Sequence, residues 1–182
     1  MSSAGWLSEA KKVDTALYAA VADTETPRLD VAMRRLSRAA DHGVLWLGIA
    51  AALALLGGSG GRRAAKGGLV SLGLASAFAN LVGKPLTTRR RPEREELEEL
   101  ASRQVPMPKT SSFPSGHTAS AYAFATGAGR AAPALSAPLR ALATLVGYSR
   151  VHTGVHYPAD VVAGAFIGVT AAELAGRMLD RR

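Results

Sequence analysis

The sequence predicts an all-α fold, a multi-span transmembrane helix bundle of about five spans with amphipathic helices at its N-terminus. Three observations favour this class. Of the 182 residues, 48% are hydrophobic and only 5% are aromatic, which is too apolar for an ordinary small soluble domain. The apolar residues form separate runs between charged segments, as the spans of a membrane protein do. The length is that of one domain.

The N-terminal region, residues 1–42, is predicted to form amphipathic helices on a membrane surface. Residues 7–22 and 27–40 have apolar and charged positions at helical spacing. Thr26 is a suitable N-cap for the second helix, and Pro27 suits its first position. This helix has basic side chains opposite its apolar face, as interfacial helices do. Alternatively, this helix packs against the rest of the protein instead of lying on a membrane surface.

Residues 43–182 are predicted to form the transmembrane domain. Its spans are marked by five apolar runs at 44–57, 69–83, 118–134, 139–148 and 161–174. Several runs are shorter than the ~20 residues of a typical span. The fourth can cross the membrane only if it extends further or is buried by its neighbours. Small residues dominate all five runs, which allows helices to pack closely in lipid.

Two connecting segments separate these runs. The glycine-rich stretch 57–61 is predicted to be a short flexible turn. The polar loop 85–113 has an acidic part, 92–100, which is predicted to be a charged helix exposed to water. Its second part, 106–112, is predicted to be extended.

The charge and the composition limit the classes of partner. A formal net charge of +8 suits either nucleic acid or a lipid that carries phosphate. Proteins that bind nucleic acid usually present aromatic stacking residues or a basic helix on a soluble domain. Neither feature is visible, so we expect a membrane partner and no nucleic acid. The chain has no cysteine, which excludes disulfides and thiolate metal sites.

An up-and-down bundle would bring the unusual polar residues to one end. These residues flank the apolar runs and are Lys84, Arg91, Ser115, Gly116, His117, Arg150, His156 and Asp160. Three cations beside a Ser-Gly turn at a helix N-terminus form an anion site that suits phosphate. Histidine changes charge near neutral pH, and a carboxylate four residues after a histidine can orient its ring. Phosphoryl transfer needs this combination of groups.

Each of these residues also has a structural explanation when it is taken alone. Lys84 could be a snorkelling side chain at the end of a span. Asp160 would favour the dipole in the first turn of its helix. The sequence assigns no role to three further basic residues, which are Arg89, Arg90 and His152.

Three short motifs carry a resemblance to a known family. They are Lys84, six residues and Arg91-Pro92; Pro114-Ser115-Gly116-His117; and Ser149-Arg150, five residues, His156, three residues and Asp160. With every spacing intact, the chain resembles the type 2 phosphatidic acid phosphatase (PAP2) superfamily. That superfamily includes bacterial acid phosphatases and vanadium haloperoxidases. The motifs cover residues 84–160, a little under half of the chain.

The resemblance implies a role for each residue of the motifs. His156 would be the nucleophile that attacks phosphorus and forms a phosphohistidine, and Asp160 would orient it. His117 would protonate the leaving oxygen and then activate water. The phosphate oxygens would be held by Lys84, Arg91, Ser115, Gly116 and Arg150. The resemblance implies no metal and no other cofactor.

The expected function is therefore metal-independent hydrolysis of a phosphomonoester or diphosphate of a membrane lipid. Among the substrates of short bacterial members, a polyprenyl-linked phosphate such as decaprenylphosphoryl-5-phosphoribose is favoured. Phosphatidylglycerol phosphate and phosphatidic acid are the alternatives. A vanadium haloperoxidase is a further alternative, although its apolar spans would be unusual in that group. The last alternative is a non-catalytic protein that binds anionic lipids.

The expected location is a bacterial plasma membrane, which the chain crosses several times. The first 40 residues carry charges throughout and lack the apolar core of a secretory signal. We therefore expect the N-terminus to stay in the cytoplasm. With five spans, the active site would then lie at the cytoplasmic face.

Overall fold

The computed structural model describes residues 3–93 and 103–181. These residues form helices and turns without any strand, which confirms the all-α class. Seven α-helices follow in order: α1 Ser3–Ala22, α2 Pro27–Ala39, α3 Val44–Leu56, α4 Gly58–Phe78, α5 Gly116–Ala131, α6 Ser136–His152 and α7 Pro158–Asp180. Single 3-10 turns, Asp41–Gly43 and Pro133–Leu135, precede α3 and α6. A π-helical turn, Ala79–Gly83, continues α4.

Helix α5 is the centre of the bundle. It packs against α4, α6 and α7, and α3 packs against α4. Residues 123–129 of α5 are all buried, so this helix is covered on every side rather than along one stripe. The first turn of α5 therefore has a fixed position relative to the ends of the three helices around it.

The bundle has small residues inside and large apolar residues outside. Most of its buried apolar residues are alanine. Large apolar side chains on the outer faces of α3 and α7, such as Leu55, Leu56 and Phe166, are more than two-thirds exposed. Such apolar surfaces are unfavourable in water but suit hydrocarbon. This distribution indicates helices that pack backbone to backbone within lipid.

Two glycines of α7 allow α5 to lie directly against it. A Cβ atom at Gly164 would be 2.5 Å from the carbonyl oxygen of Ser115. A Cβ atom at Gly168 would be 2.4 Å from the carbonyl oxygen of Ala119. Both distances are too short for carbon and oxygen, so only glycine fits. The backbone N–H of Ser115 also donates to the carbonyl oxygen of Asp160 at 3.0 Å. These contacts fix the start of α5 beside the start of α7.

Helix length and hydropathy mark two or three candidate membrane spans among the described residues. Among the described residues, the helical stretches Gly58–Gly83 and Pro158–Asp180 are long and apolar enough to cross a membrane. The pair α2–α3, bent by 59°, is a third candidate. Helices α5 and α6 have 16 and 17 residues, about 24–26 Å at the α-helical rise. The prediction of five spans therefore stays a prediction.

The glycine-rich turn was predicted to be longer than it is. Helix α4 starts at Gly58, so most of the stretch 57–61 is helical and the second apolar run is the later part of a longer helix. The chain turns at Gly58, where φ is +57°, a value that favours glycine. Helix packing here outweighs the low helix propensity of the glycines that follow.

The two N-terminal helices are present near their predicted positions and pack against the bundle. Thr26 is the N-cap residue of α2 and Pro27 starts the helix. Helix α1 packs against α6 and α7, and α2 packs against α6. Their position on a membrane surface, and a domain boundary after residue 42, stay predictions.

The polar loop is described in part. Most of the predicted charged helix, 92–100, lies outside the described residues. Residues 106–112 form no regular secondary structure and bend at Lys109, Thr110 and Ser112, so the extended segment stays a prediction.

The close contact between α5 and α7 can be tested by two matched substitutions. Gly168→Ala should lower the free energy of unfolding by about 1–3 kcal/mol, because the new methyl group has no room. Gly73→Ala is the control, since no atom lies within 4 Å of a Cβ at that position in α4. It should raise stability by about 0.5–1 kcal/mol, as alanine does in a helix interior. Unfolding of both variants is measured in the same detergent. Equal stabilisation by both would contradict the contact.

Candidate active site

The residues of the three motifs meet at one end of the bundle. Helix α4 ends there, α5 begins, α6 ends and α7 begins. Lys84 follows the π-helical turn, His117 lies in the first turn of α5, and Arg150 lies in the last turn of α6. His156 lies in the connection between α6 and α7, and Asp160 lies in the first turn of α7. The structure thus brings together side chains from Lys84 to Asp160, which are separated by up to 76 positions along the chain.

His156 and Asp160 form a buried pair at this end. His156 is 2% exposed and Asp160 is fully buried. Nδ1 of His156 lies 3.4 Å from Oδ2 of Asp160. On the other side of the ring, Nε2 lies 3.4 Å from a guanidinium nitrogen of Arg91. One ring nitrogen therefore faces a carboxylate, and the other faces a cation that can hold a phosphate.

Asp160 is held by donors on both of its oxygens. Oδ2 accepts hydrogen bonds from the Ser112 hydroxyl and from the Tyr157 backbone N–H, both at 2.9 Å. Oδ1 accepts from the Arg89 guanidinium at 2.8 Å. Because these donors converge from two segments, the carboxylate has a fixed orientation toward His156. The motifs assign no role to Arg89, but its contact with Asp160 makes it part of the site.

Helix α1 supplies a carboxylate that supports this arrangement. Asp14 is buried and accepts a hydrogen bond from the same guanidinium of Arg89. Its other oxygen accepts from the backbone N–H of Ala159 at 2.8 Å. Arg89 also lies over the ring of Tyr157, 4.4 Å from its centroid. Asp14 was not identified from the sequence, because a single acidic residue in a charged helix carries no pattern.

His117 is paired with a second carboxylate from the N-terminal region. Its Nε2 lies 2.8 Å from Oδ1 of Asp41, in the turn that precedes α3. A guanidinium nitrogen of Arg150 lies 3.6 Å from the same oxygen and donates to the Ser37 hydroxyl of α2. Arg150 is 2% exposed. Asp41 was not identified from the sequence either, since it lies far from the motifs.

Lys84 lies beside the backbone at the start of α5. Its ammonium group donates to Oδ1 of Asn80 at 2.7 Å. A Cβ atom at Gly116 would lie 3.8 Å from the same nitrogen, so the ammonium group lies next to the first residue of α5. The hydroxyl of Ser115 is buried and caps α5, where it accepts from the Thr118 backbone N–H at 3.4 Å. A phosphate contact of Ser115 stays a prediction.

Arg91 links the polar loop to the connection between α6 and α7. Its guanidinium donates to the backbone oxygens of Thr110, Ser111 and Val155. The contact with Val155, at 2.7 Å, places one end of the group next to His156. Arg91 therefore holds the loop in place and adds positive charge at the imidazole.

Burial and positive charge determine the protonation of two groups outside the spanning segments. Burial lowers the pKa of the Lys84 ammonium, and the charges of Arg91 and Arg150 lower it further. Burial lowers the pKa of the His156 imidazole to about 4; the same two arginines act in that direction, and Asp160 opposes them. His156 is therefore neutral near pH 7. The neutral ring has the lone pair that a nucleophile needs.

A second buried charge cluster lies close by but outside this group. Nε2 of His152 lies 2.7 Å from Oδ1 of Asp30, and Arg103 donates to the same oxygen at 3.0 Å. The guanidinium also donates to backbone oxygens at the end of α1. His152 thus joins the polar loop, α2 and α6 rather than facing the paired histidine and aspartate.

The bundle also has a cavity away from the motif residues. A cavity of about 430 Å³ lies at the opposite end, between α4, α5 and α7. It is lined by residues such as Arg63, Lys66 and Arg130, and no residue of the three motifs contributes to it. The chemistry of the motif residues, rather than cavity volume, identifies the candidate site.

Comparison with known families matches this geometry to one of them. The chain matches the model of the PAP2 superfamily over residues 67–182. It belongs to the PAP2 superfamily. This match confirms the resemblance inferred from the three motifs. The chain is a phosphatase of that superfamily, as the motifs predicted.

Curated relatives are similar to this chain over most of their length. Decaprenylphosphoryl-5-phosphoribose phosphatase from Mycobacterium tuberculosis is 34% identical over 157 residues, which cover 82% of this chain and 80% of the relative. The protein of the same name from Mycolicibacterium smegmatis is 33% identical over 167 residues, covering 87% and 84%.

Two solved structures have the same fold. The crystal structure of LpxE from Aquifex aeolicus superposes with a TM-score of 0.68 at 24% identity, covering 90% of this chain and 94% of that one. The transmembrane PAP2 type phosphatidylglycerolphosphate phosphatase from Bacillus subtilis gives 0.72 at 21% identity, covering 95% and 87%. At these identities the comparison shows the helical fold alone.

The protonation of His156 can be measured directly. An NMR titration of labelled histidine in detergent should place its pKa near 4, with the ring gaining its proton as the pH falls through that value. Asp160→Asn should move the midpoint lower still, because the carboxylate that favours the protonated ring is removed. The signal is assigned by its loss in His156→Gln. A midpoint near the ordinary value of about 6.5 would show that burial and the two arginines do not act on this ring.

Proposed function

We propose that this PAP2 phosphatase removes the terminal phosphate of a membrane lipid through a phosphohistidine intermediate. We further propose that the substrate is a polyprenyl-linked phosphate, with decaprenylphosphoryl-5-phosphoribose as the favoured one. The proposal is carried by the buried pair of His156 and Asp160 beside Lys84, Arg91 and Arg150. The curated relatives of that name support the choice of substrate, since they match most of this chain.

Binding of the phosphate is the first step. A phosphate monoester carries close to two negative charges near neutral pH. Arg91 and Arg150 act electrostatically on His156, and both also act on Lys84, so three cations lie close together at this end of the bundle. Planar guanidinium groups match the phosphate oxygens and stabilise the charge that they carry in the transition state.

Formation of the phosphohistidine is the second step. Since Nδ1 of His156 faces Asp160, Nε2 is the nitrogen that attacks phosphorus. A new N–P bond forms as the bond from phosphorus to the leaving oxygen breaks. The proton on Nδ1 stays with the ring and faces the carboxylate of Asp160, which stabilises the positive charge of the phosphorylated imidazole.

His117 donates a proton in the first half of the reaction and accepts one in the second half. The leaving group of a sugar or lipid phosphate is an alkoxide, which is unstable unless it receives a proton. Protonated His117 donates that proton in the first half. The neutral ring then takes a proton from water, whose oxygen attacks phosphorus and breaks the N–P bond. Inorganic phosphate leaves, and both histidines return to their starting states.

The location of the site supports a substrate that stays in the membrane. The motif residues lie at one end of a bundle whose outer faces are apolar, where the head group of a lipid would lie. We propose the plasma membrane of a bacterium as the location, with the site at the cytoplasmic face. The acidic and basic residues of α1 and α2 suit a position of these helices in the aqueous interface.

Phosphate release from a panel of lipids tests the substrate. Purified protein in EDTA is assayed with decaprenylphosphoryl-5-phosphoribose, a polyprenyl diphosphate, phosphatidylglycerol phosphate and phosphatidic acid. We expect turnover without added metal, fastest with the first lipid, because no step uses a metal ion. Turnover that EDTA abolishes and Mg²⁺ restores would contradict the mechanism. A clear preference for a glycerophospholipid would contradict the choice of substrate.

His156→Ala tests the nucleophile in the same assay. Loss of the attacking nitrogen should lower kcat by at least about 10³-fold, since no other group forms the intermediate. His152→Gln is the matched control, because this buried histidine of the same region pairs with Asp30 outside the site. It should retain turnover within about tenfold if the protein folds. Comparable losses in both variants would assign the effect to the fold rather than to the nucleophile.

Asp160→Asn separates orientation from binding. The amide removes the negative charge that orients His156 and stabilises its phosphorylated form, so kcat should fall by about 10²–10⁴-fold. KM should change little, because the three cations are unaltered. Steady-state kinetics with the best lipid of the panel give both constants. A variant that loses affinity with an unchanged kcat would show that Asp160 serves substrate binding instead.

A further inference from the structure

A carboxylate outside the motifs is in direct contact with the proposed acid–base histidine. Oδ1 of Asp41 lies 2.8 Å from Nε2 of His117, a distance typical of a charge-assisted hydrogen bond. Asp41 lies in the turn between α2 and α3, 76 positions away along the chain. The pair is therefore built by the tertiary fold and not by local spacing.

The rest of the N-terminal region holds this carboxylate in place. The turn that contains Asp41 packs against α5, and Arg150 lies 3.6 Å from the same carboxylate oxygen. Arg150 also binds Ser37 in the last turns of α2, which ties this helix to α6. After Asp41, the chain turns sharply through His42 and Gly43, with φ values of +54° and +76°. Asp41 is thus fixed on both sides.

Asp41 differs in charge from the other charged groups beside His117. Apart from burial, the largest influences on the ring come from three charged groups, Asp41 in the turn before α3, Arg150 in α6 and Lys84 after α4. Two of these are cations, which oppose a proton on the ring. Asp41 is the single anion of the three, so it is the group that favours protonated His117.

We propose that Asp41 is the positioning residue of His117 in the phosphatase reaction, which rests on the function proposed above. It accepts a hydrogen bond from Nε2–H and so leaves Nδ1 as the nitrogen that exchanges a proton with the substrate. In the first half-reaction, Nδ1–H gives its proton to the leaving alkoxide as the bond from phosphorus to oxygen breaks. In the second, the lone pair on Nδ1 takes a proton from the attacking water. Asp41 keeps its own charge throughout.

A purely structural ion pair would have a different kinetic signature. The need for an acid depends on the leaving group: an alkoxide requires a proton, whereas p-nitrophenolate is stable without one. A residue that positions the acid therefore affects esters of ordinary alcohols much more than aryl esters. A residue that only stabilises the fold affects both kinds of ester equally.

The experiment compares two phosphate monoesters, decyl phosphate and p-nitrophenyl phosphate, in wild type and Asp41→Asn. The measured quantity is kcat/KM, because it reports the steps up to formation of the phosphohistidine. We expect Asp41→Asn to lower kcat/KM for decyl phosphate by about 10²-fold, in the range of general acid catalysis. For p-nitrophenyl phosphate we expect less than about a threefold change. Equal losses for both esters, or no loss for either, would overturn the proposal.

Two further variants make the comparison sharper. His117→Ala should show the same selective loss, and the double variant with Asp41→Asn should be no worse than His117→Ala alone, since Asp41 acts through this ring. Asp30→Asn is the matched control. Asp30 also comes from the N-terminal region and pairs with a buried histidine, His152, at 2.7 Å. Any loss in this variant should be equal for the two esters.

A spectroscopic measurement tests the same contact without relying on activity. Nitrogen-15 NMR of labelled histidine at pH 8 should show His117 with its proton on Nε2 in wild type, and a shift toward the Nδ1–H form in Asp41→Asn. A proton on Nδ1 in wild type would overturn the proposal. If wild type hydrolyses neither ester nor any lipid of the panel, the proposed function fails, and the tautomer still decides whether Asp41 orients His117.

Discussion

The end of the bundle that holds the motif residues is rich in buried positive charge, and the rest of the structure has to accommodate it. Cations that lie close together away from water repel one another strongly. Carboxylates of the N-terminal helices meet this requirement: Asp14 binds Arg89, Asp30 binds Arg103, and Asp41 lies next to Arg150. Each pair joins the N-terminal helices to the helices and loop that carry the motifs. The N-terminal region is therefore part of the site's electrostatics as well as a covering layer.

The packing of the bundle explains how polar groups can be placed so closely at its end. A core of alanine and glycine brings helix backbones together, and α5 lies directly against α7 at Gly164 and Gly168. Because α5 is surrounded by three helices, its first turn has little freedom to move. The orientation of His117 and the nearby backbone N–H groups is thus set by rigid helices, which favours a preorganised anion site.

The two histidines of the proposed mechanism have different surroundings, and this difference suits different tasks. His156 is buried with arginines nearby, which favours the neutral ring of a nucleophile. His117 has a quarter of its side chain exposed and contacts a carboxylate, which favours a ring that gains and loses a proton. Different partners for two titratable groups are a common way to separate nucleophilic and acid–base roles.

The sequence alone determined the helical class, the approximate positions of the helices and the set of motif residues, because periodicity and motif spacing are local properties of a chain. It missed the long first half of α4, whose glycines predict a turn until packing against α5 is known. The partners Asp14 and Asp41, and the role of Arg89, were decided by the tertiary structure only. Each contacts a residue more than 70 positions away, and no local pattern marks a lone charged residue for such a contact. Charge balance at a buried site depends on which helices meet there, and the folded bundle alone determines that.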